Sequence, residues 1–290
     1  MSRLSFADEC APLLLGAVRA FEPGNTVIFG VGYDGTTSYR PGTRFGPDAI
    51  RRASDGLETY SPTQDADLED LQITDAGNLA ITFGSPEPVA AQVADTVEEI
   101  LEKGGRPMML GGEHSLTPGA VRGALRHHPD LVVVQLDAHA DLRPDYLGER
   151  FSHACAMRRC LDVLGPGEDR LFQVGIRSGT REEWQELRGT ERWVEPSADA
   201  LRARLEHLGD LPVYLSVDLD VFDPAYMPGT GTPEPGGIDW ACFESLLDVL
   251  AERRLVASDV VELAPELDPT GVSSVLAAKV VREILLAMGQ

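Results

Sequence analysis

Short apolar runs recur along this chain, each followed by a polar segment and then by a stretch with helical spacing. The runs TVIFGV (residues 26–31), PMML (107–110), LVVVQL (131–136), LFQVGI (171–176), PVYLSV (212–217) and LVASDVVEL (255–263) read as strands. A weaker strand is expected near Ile73 and a short one at Trp193 and Val194. Runs this continuous suit parallel strands covered on both faces, because a half-exposed strand would alternate apolar with polar. Helices are expected at DAIRRAS behind Pro47, over 88–103 and 117–127, after Ser152, around 182–187, and over 198–208, 239–253 and 273–288. Alternation of this kind predicts an α/β fold, a βαβ sheet with helices on both sides. The sequence has no long polar linker and no repeat of fixed period, so residues 1–290 are expected to form one domain.

The chemistry sits where the apolar runs stop. PMML leads into GGEHS, LVVVQL into DAHAD, and PVYLSV into DLD, so His114, Asp137, His139, Asp141, Asp218 and Asp220 fall at or just past strand ends. In open α/β sheets ligands bind outside the carboxyl ends of the strands. A lone aspartate there is usually a turn residue or helix cap, and a lone histidine is usually a hydrogen-bonded core residue. The whole set is different, because burying several carboxylates together is prohibitive without a compensating cation. Asp137, His139 and Asp141 have the alternate spacing that puts side chains on one face of extended chain, and Asp218 and Asp220 repeat it. Carboxylate oxygen mixed with imidazole suits a borderline-hard ion such as Mn²⁺ better than a thiolate-type zinc site. Six ligands are too many for one open catalytic ion but enough for two sharing carboxylates at about 3.5 Å. His127, His128 and His207 stand in polar contexts and read as surface residues.

Composition narrows the partners. A formal charge of −22 argues against nucleic acid, which needs a basic face. No stretch approaches the roughly 20 apolar residues of a membrane span. Asp8, Glu9 and Pro12 around a very short apolar run do not read as a signal peptide, so a cytoplasmic location is expected. Cys10, Cys155, Cys160 and Cys242 form no CxxC pair and no disulfide framework, which fits a reducing compartment. Cys155 lies two residues after His153 and reads as a buried free thiol.

Gly30, Gly32 and Gly35 spell G-x-G-x-x-G after a strand, the pattern of a dinucleotide-binding turn. That turn requires a helix opening at the glycines, and Pro41, Gly42 and Pro47 forbid one. A loop facing the substrate is expected instead, with Arg40 and Arg44 as structural anchors. PGTGTPEPGG (228–237) lacks the Gly-Lys-Ser/Thr ending of a phosphate loop.

GGEHS, DAHAD, SVDLDVFDPAYMPGTGTPEPGG and VVEL, in this order, resemble the ureohydrolase family that includes arginase and agmatinase. GVGYDGTTSYRPGTRFGPDAIRRAS, FSHACAMRR and ELDPTG look like its agmatinase branch, and the likeness runs from about Gly30 to the C-terminus. The resemblance implies a three-layer αβα sandwich around a parallel sheet of eight strands, two Mn²⁺ per subunit, and a trimer or hexamer. It implies His114, Asp137, Asp141 and Asp218 around one ion and Asp137, His139, Asp218 and Asp220 around the other. Glu262 would orient a guanidinium, Asp141 would carry a proton to the departing amine, and His153 would shuttle protons or help hold the substrate. Glu113 stands where arginases usually have aspartate, a change expected to be tolerated beside the ligands. The implied reaction is hydrolysis of a small cationic guanidino substrate to urea and an amine.

For the substrate tail, LRPDYLGERFS (142–152) lacks the asparagine and serine pattern with which arginases hold an amino-acid head group. Asp145 and Glu149 either face a distal ammonium or polyamine chain, as agmatine would present, or are solvated loop charges; agmatine is the expected substrate, with guanidinobutyrate, arginine, aminopropylagmatine and formiminoglutamate open within the same reaction type. Two other classes stay open. A dinuclear phosphoesterase would also need a GNH-like segment, which is missing, and a catalytically silent homologue would be free to lose residues that are present.

Overall fold

The computed structural model describes residues 4–8, 10–82, 84–165 and 170–289. In chain order its regular elements are β1 (Thr26–Gly30), α1 (Gly46–Ser54), β2 (Tyr60–Ser61), β3 (Ala66–Asp67), β4 (Ile73–Asn78), α2 (Pro86–Glu102), β5 (Arg106–Leu110), α3 (Thr117–Leu125) and β6 (Val132–Leu136). There follow α4 (Ala156–Leu164), β7 (Leu171–Val174), α5 (Arg181–Arg188), β8 (Trp193–Val194), α6 (Ala198–Leu205), β9 (Pro212–Asp218), α7 (Trp240–Ala251), β10 (Arg254–Val261) and α8 (Val272–Gly289). The expected strands and helices are all present. The antiparallel β2–β3 hairpin was not expected, since its strands, YS and AD, contain no apolar run.

Eight strands make one sheet in the order β4-β1-β5-β10-β9-β6-β7-β8, with every neighbouring pair parallel. Side chains alternate between its faces. Val134, Leu136, Leu215 and Val217 pack into a core with Phe243 and Leu246 of α7 and Val281 and Ile284 of α8. Val133, Tyr214 and Ala257 point the other way, into a core with Val93 and Val97 of α2, Ala120 of α3 and Met157 of α4. These two cores explain the unbroken apolar runs, because both faces of each strand are covered. The result is the expected three-layer αβα sandwich. No helix among the described residues is long and apolar enough to cross a membrane.

Topology also prepares a site. β5 and β6 are consecutive in the sheet's chain order, yet β10 and β9 lie between them. The chain therefore changes direction across the sheet at this point, and a crevice opens at the carboxyl ends of the strands there.

Candidate metal centre

Four adjacent strands deliver their C-terminal residues to that crevice. His114 opens a 3-10 turn (His114–Leu116) after β5, and Asp137 follows β6 directly. Asp218 ends β9, Asp220 lies in the next 3-10 turn (Leu219–Val221), and Glu262 follows β10. Register sets their level: Leu136 pairs with Val217 and Asp218 with Val261, so Asp137, Asp218 and Glu262 emerge side by side.

The convergence is as expected, but its local cause differs. Past Leu136 the chain does not continue as an extended strand. The backbone N–H of His139 turns back to donate to Asp137 Oδ1 at 2.6 Å, and Asp141 has φ 53. Asp218 Oδ1 likewise accepts from the Asp220 N–H at 2.9 Å. Aspartate is suited to such turns because its short carboxylate reaches the amide two residues on. Turns capped by the ligands themselves, rather than one face of a strand, therefore gather the set.

Two residue groups have ligand atoms mutually within 4.8 Å: His114 with Asp137 and Asp218, and Asp137 with His139 and Asp220. Around His114 Nδ1 stand Asp137 Oδ2 at 3.0 Å, Asp141 Oδ2 at 3.1 Å and Asp218 Oδ2 at 3.2 Å. One ring nitrogen has at most one proton to give three carboxylates. None of the contacts is a hydrogen bond, and Nδ1 is left buried without a partner. His139 Nδ1 lies 2.9 Å from Asp220 Oδ2 and 3.7 Å from Asp137 Oδ1. Four buried carboxylates and two imidazoles closing on shared points fit two divalent cations with Asp137 common to both sets.

Without a cation the cluster opposes itself. Burial raises Asp141 to about 7, and repulsion from Asp137 adds to the shift. Burial, then Asp220 and Asp137, push Asp218 well above the carboxylate range. Burial works against charge on His139, but Asp220 and Asp137 override it and hold the ring up to about 12. Such competition is relieved when a cation replaces the protons.

A polar rung runs through the sheet beneath these ligands. Gln173 of β7 pairs with Gln135 of β6, Gln135 with Ser216 of β9, and Ser216 with Asp259 of β10. Gln173 Nε2 donates to Gln135 Oε1 at 2.6 Å, and Gln135 Nε2 donates to Asp137 Oδ2. Ser216 Oγ lies 3.0 Å from His114 Nε2 and donates to Asp259 Oδ1 at 2.7 Å. Tyr214 and Thr117 hydroxyls fill Asp259 Oδ2 at 2.6 and 2.8 Å. This rung orients ligands from both outer strands of the crevice. The sequence reading passed over it, although glutamine, serine and aspartate inside apolar runs signal buried groups that must find partners.

A cavity of about 270 Å³ opens onto His114, His139, Asp141 and Asp218, and Glu262 and His153 also line it. Glu262 is only 8% exposed and, with φ 67, adopts a backbone conformation rare for residues other than glycine. Its Oε1 accepts the His114 N–H at 2.8 Å. Burial, then Glu113, raises its pKa well above the usual range, so the carboxylate needs a positive partner to ionise. Burial followed by His139 lowers His153 to about 4, which keeps the ring neutral near pH 7.

Other expectations sort cleanly. Asp145 and Glu149 do not line the cavity; Asp145 Oδ1 accepts the Gly148 N–H at 3.3 Å and Glu149 Oε1 the Phe151 N–H at 2.9 Å. Each carboxylate caps its own loop through one oxygen, which favours the loop-charge reading of the two residues. The cavity wall is instead Ser38, Arg143, Tyr146, Ser178, Thr180, Glu183 and Thr232, none of which the sequence marked. Glu113 is fully buried rather than a passive neighbour, and accepts from Thr36, Thr37 and Ser115. Cys155 is fully buried and its thiol is pushed up to about 11 by burial, as befits an inert core residue. After Gly30 the chain stays a loop until the turn at Thr43–Phe45, and Gly32 passes the Arg44 carbonyl so closely that a Cβ would sit 2.7 Å from it. Arg40 donates to the Gly231 carbonyl at 3.3 Å and Arg44 to Asp34 at 2.5 Å, as anchors.

A parallel αβα sheet with this cluster at its switch point marks a candidate metal centre of an α/β protein, and comparison with known proteins gives the family. The family model described as "Arginase family" matches residues 24–287. The chain is 39% identical over 270 residues to the agmatinase of Bacillus subtilis (strain 168), covering 92% of each. It is 42% identical over 262 residues to the N(1)-aminopropylagmatine ureohydrolase of Thermococcus kodakarensis, covering 87% of this chain and 88% of that one. The crystal structure of the agmatine ureohydrolase of Thermoplasma volcanium matches with TM-score 0.86 and 36% identity, over 95% of this chain and 94% of that one. This chain belongs to the arginase family. It is an agmatinase-like ureohydrolase, a hydrolase of guanidino C–N bonds, which sets aside the phosphoesterase alternative.

Proposed function

We propose that this chain, acting as one domain, hydrolyses agmatine to putrescine and urea with two Mn²⁺ held by His114, Asp137, His139, Asp141, Asp218 and Asp220. When bound, the two ions supply a hydroxide nucleophile at neutral pH and bring it next to the guanidino carbon. The protein does the rest. Glu262 accepts guanidinium N–H groups on the flat side of the cation and regains its charge as it does so. Asp141 takes up the proton of the attacking water and returns it to the departing nitrogen. His153, neutral and on the cavity wall, accepts a hydrogen bond from the amine end. Guanidinium and water thus become urea and a protonated amine, with the C–N bond to the tail broken and no net change of charge.

The observation that carries this reading is the unpartnered His114 Nδ1 among three carboxylates, sharing a cavity with Glu262. The agmatinase at 39% identity favours agmatine as substrate. The relative at 42% identity whose name specifies an aminopropyl extension supports a second reading, in which the tail is longer. Urea release after Mn²⁺ loading, measured on agmatine, its aminopropyl derivative, guanidinobutyrate and arginine, separates these. Turnover of agmatine well above the others is expected. Preference for the aminopropyl derivative would favour the second reading, and no urea from any of them would overturn both.

A further inference from the structure

We propose that Thr36 and Glu113 are positioning residues that fix His153 in a single tautomer, with the proton on Nδ1 and a bare Nε2 turned to the cavity. This rests on the proposed function for its catalytic meaning, but its geometry stands apart from it.

The proton accounting starts at two unambiguous donors. The Thr36 backbone N–H donates to Glu113 Oε2 at 2.8 Å and the Ser115 hydroxyl donates to Oε1, so both oxygens of that carboxylate act as acceptors. The His153 backbone N–H donates to Thr36 Oγ1 at 3.0 Å, so the hydroxyl oxygen already accepts one bond. The hydroxyl has one proton and two places to send it: Glu113 Oε1 at 2.6 Å or His153 Nδ1 at 3.2 Å. A short bond to a buried carboxylate is stronger than a longer one to a neutral nitrogen. The proton therefore goes to Glu113, and the remaining contact exists only if Nδ1–H of His153 donates to Thr36. The Nε2 atom is then a lone pair, 3.4 Å from Ser38 Oγ, and Ser38 also lines the cavity. Tyr146 restrains the ring with an edge-on contact at 5.9 Å between centroids.

The arrangement gives glutamate at position 113 a reason. The carboxylate reaches out of the turn before His114 and across to the loop after β1, a sequence separation of 77 residues from Thr36. Through Thr36 it links the turn before His114 to His153. A neutral imidazole can receive a proton from, or a hydrogen bond of, an amine only through an unprotonated nitrogen. Fixing which nitrogen that is spares the enzyme a ring flip or a tautomer exchange in each turnover.

The test reads the tautomer directly, without turnover. Long-range proton–nitrogen correlation of the full chain with ¹⁵N-labelled histidines, at alkaline pH and with diamagnetic Mg²⁺ present, distinguishes the two ring nitrogens; H153N assigns the signal. The parent protein is expected to show Nδ1 protonated and Nε2 bare. Finding the proton on Nε2 would overturn the proposal, whatever the substrate proves to be. Thr36→Val removes the hydroxyl at nearly constant volume and is expected to give a mixture of tautomers, while Thr36→Ser restores the single one. Glu113→Gln, which offers only one acceptor oxygen, serves where the valine variant does not accumulate folded protein, and the same mixture is expected. An unchanged single tautomer in the folded valine or glutamine variant would sink the idea. If the proposed reaction also holds, kcat in T36V falls by about tenfold or more with KM little changed, and T36S recovers it.

Discussion

Among the described residues, a buried Asp–Arg pair on β4 and the buried acids at the switch point solve the same electrostatic problem in opposite ways. On β4, Asp75 is fully buried beside the equally buried Arg51 of α1. Arg51 Nε donates to Asp75 Oδ2 and its NH2 to Oδ1, each at 2.9 Å, in a two-pronged pair. Two of its other three protons go to Asn78 Oδ1 at 2.7 Å and the Gly77 carbonyl at 3.0 Å, and Asp75 also accepts the Leu14 and Gly77 N–H groups. The cation is part of the chain and its hydrogen bonds are used. At the switch point, four aspartates and two histidines have no such internal cation, and His114 Nδ1 faces three carboxylates without a bond. A closed cluster is structural, whereas one left open for a cation is a site.

The largest effect should come from breaking the open cluster at its shared member. Asp137→Ala removes the carboxylate common to both ligand groups, so metal retention after gel filtration and urea production should both fall to background. Full manganese content in the purified variant would remove Asp137 from the ligand set. The matching insult to the closed cluster is Arg51→Met, which strands Asp75 in the interior. Its expected cost is about 3–5 kcal/mol in urea unfolding, with metal per folded molecule unchanged. Loss of metal in that variant would mean that the two clusters are coupled.

Between them lies Glu262, an acid at the open cluster that we propose serves the substrate rather than metal. Glu262→Gln should retain the metal yet lower kcat on the order of 10²-fold, because the guanidinium loses its charged anchor. Unchanged kinetics would refute that role.

Protons compete for the open cluster, which sets a pH dependence. In the metal-free protein Asp141 is raised from 3.8 to about 7 by burial and then Asp137. The folded state therefore favours its neutral form: the stabilisation is complete below pH 3.8 and is lost as the pH climbs through about 7. A divalent ion must displace that proton, so Mn²⁺ affinity should strengthen from about pH 6 to about pH 8, with protons released on binding. Calorimetry in buffers of different ionisation enthalpy measures both, and a pH-independent affinity would contradict the shift.

The same contrast explains what could be read from the chain alone. Strands, helices and the parallel sheet followed from unbroken apolar runs, and six acid and imidazole residues at strand ends stood out as too costly to bury unaided. The register that sets Asp137, Asp218 and Glu262 level is a property of pairing between distant strands, and no local pattern encodes it. Asp145 and Glu149 stayed ambiguous, because an acidic loop beside DAHAD looks the same whether its carboxylates face a substrate or cap their own backbone. Likewise the loop 31–42 gave no hint that Thr36 meets Glu113, since only the fold brings them together.

The smallest expected effect concerns the rung beneath the ligands. Ser216 stands between the two kinds of chemistry: its hydroxyl proton is committed to Asp259, so its oxygen can only accept from His114 Nε2–H. With Nε2–H so committed, Nδ1 is the nitrogen His114 can offer a cation, which must displace the proton that Asp137, Asp141 and Asp218 favour on the ring. Ser216→Ala removes the acceptor and strands both Nε2–H and one oxygen of Asp259. Manganese affinity should drop by about 10- to 100-fold, while unfolding of the metal-free chain changes by no more than about 1–3 kcal/mol. Threonine at the same position keeps the hydroxyl and should recover most of the affinity. If alanine instead bound manganese as tightly as serine, His114 would be oriented by packing alone, and the polar rung would belong with Arg51 and Asp75 as part of the closed, structural chemistry of the fold.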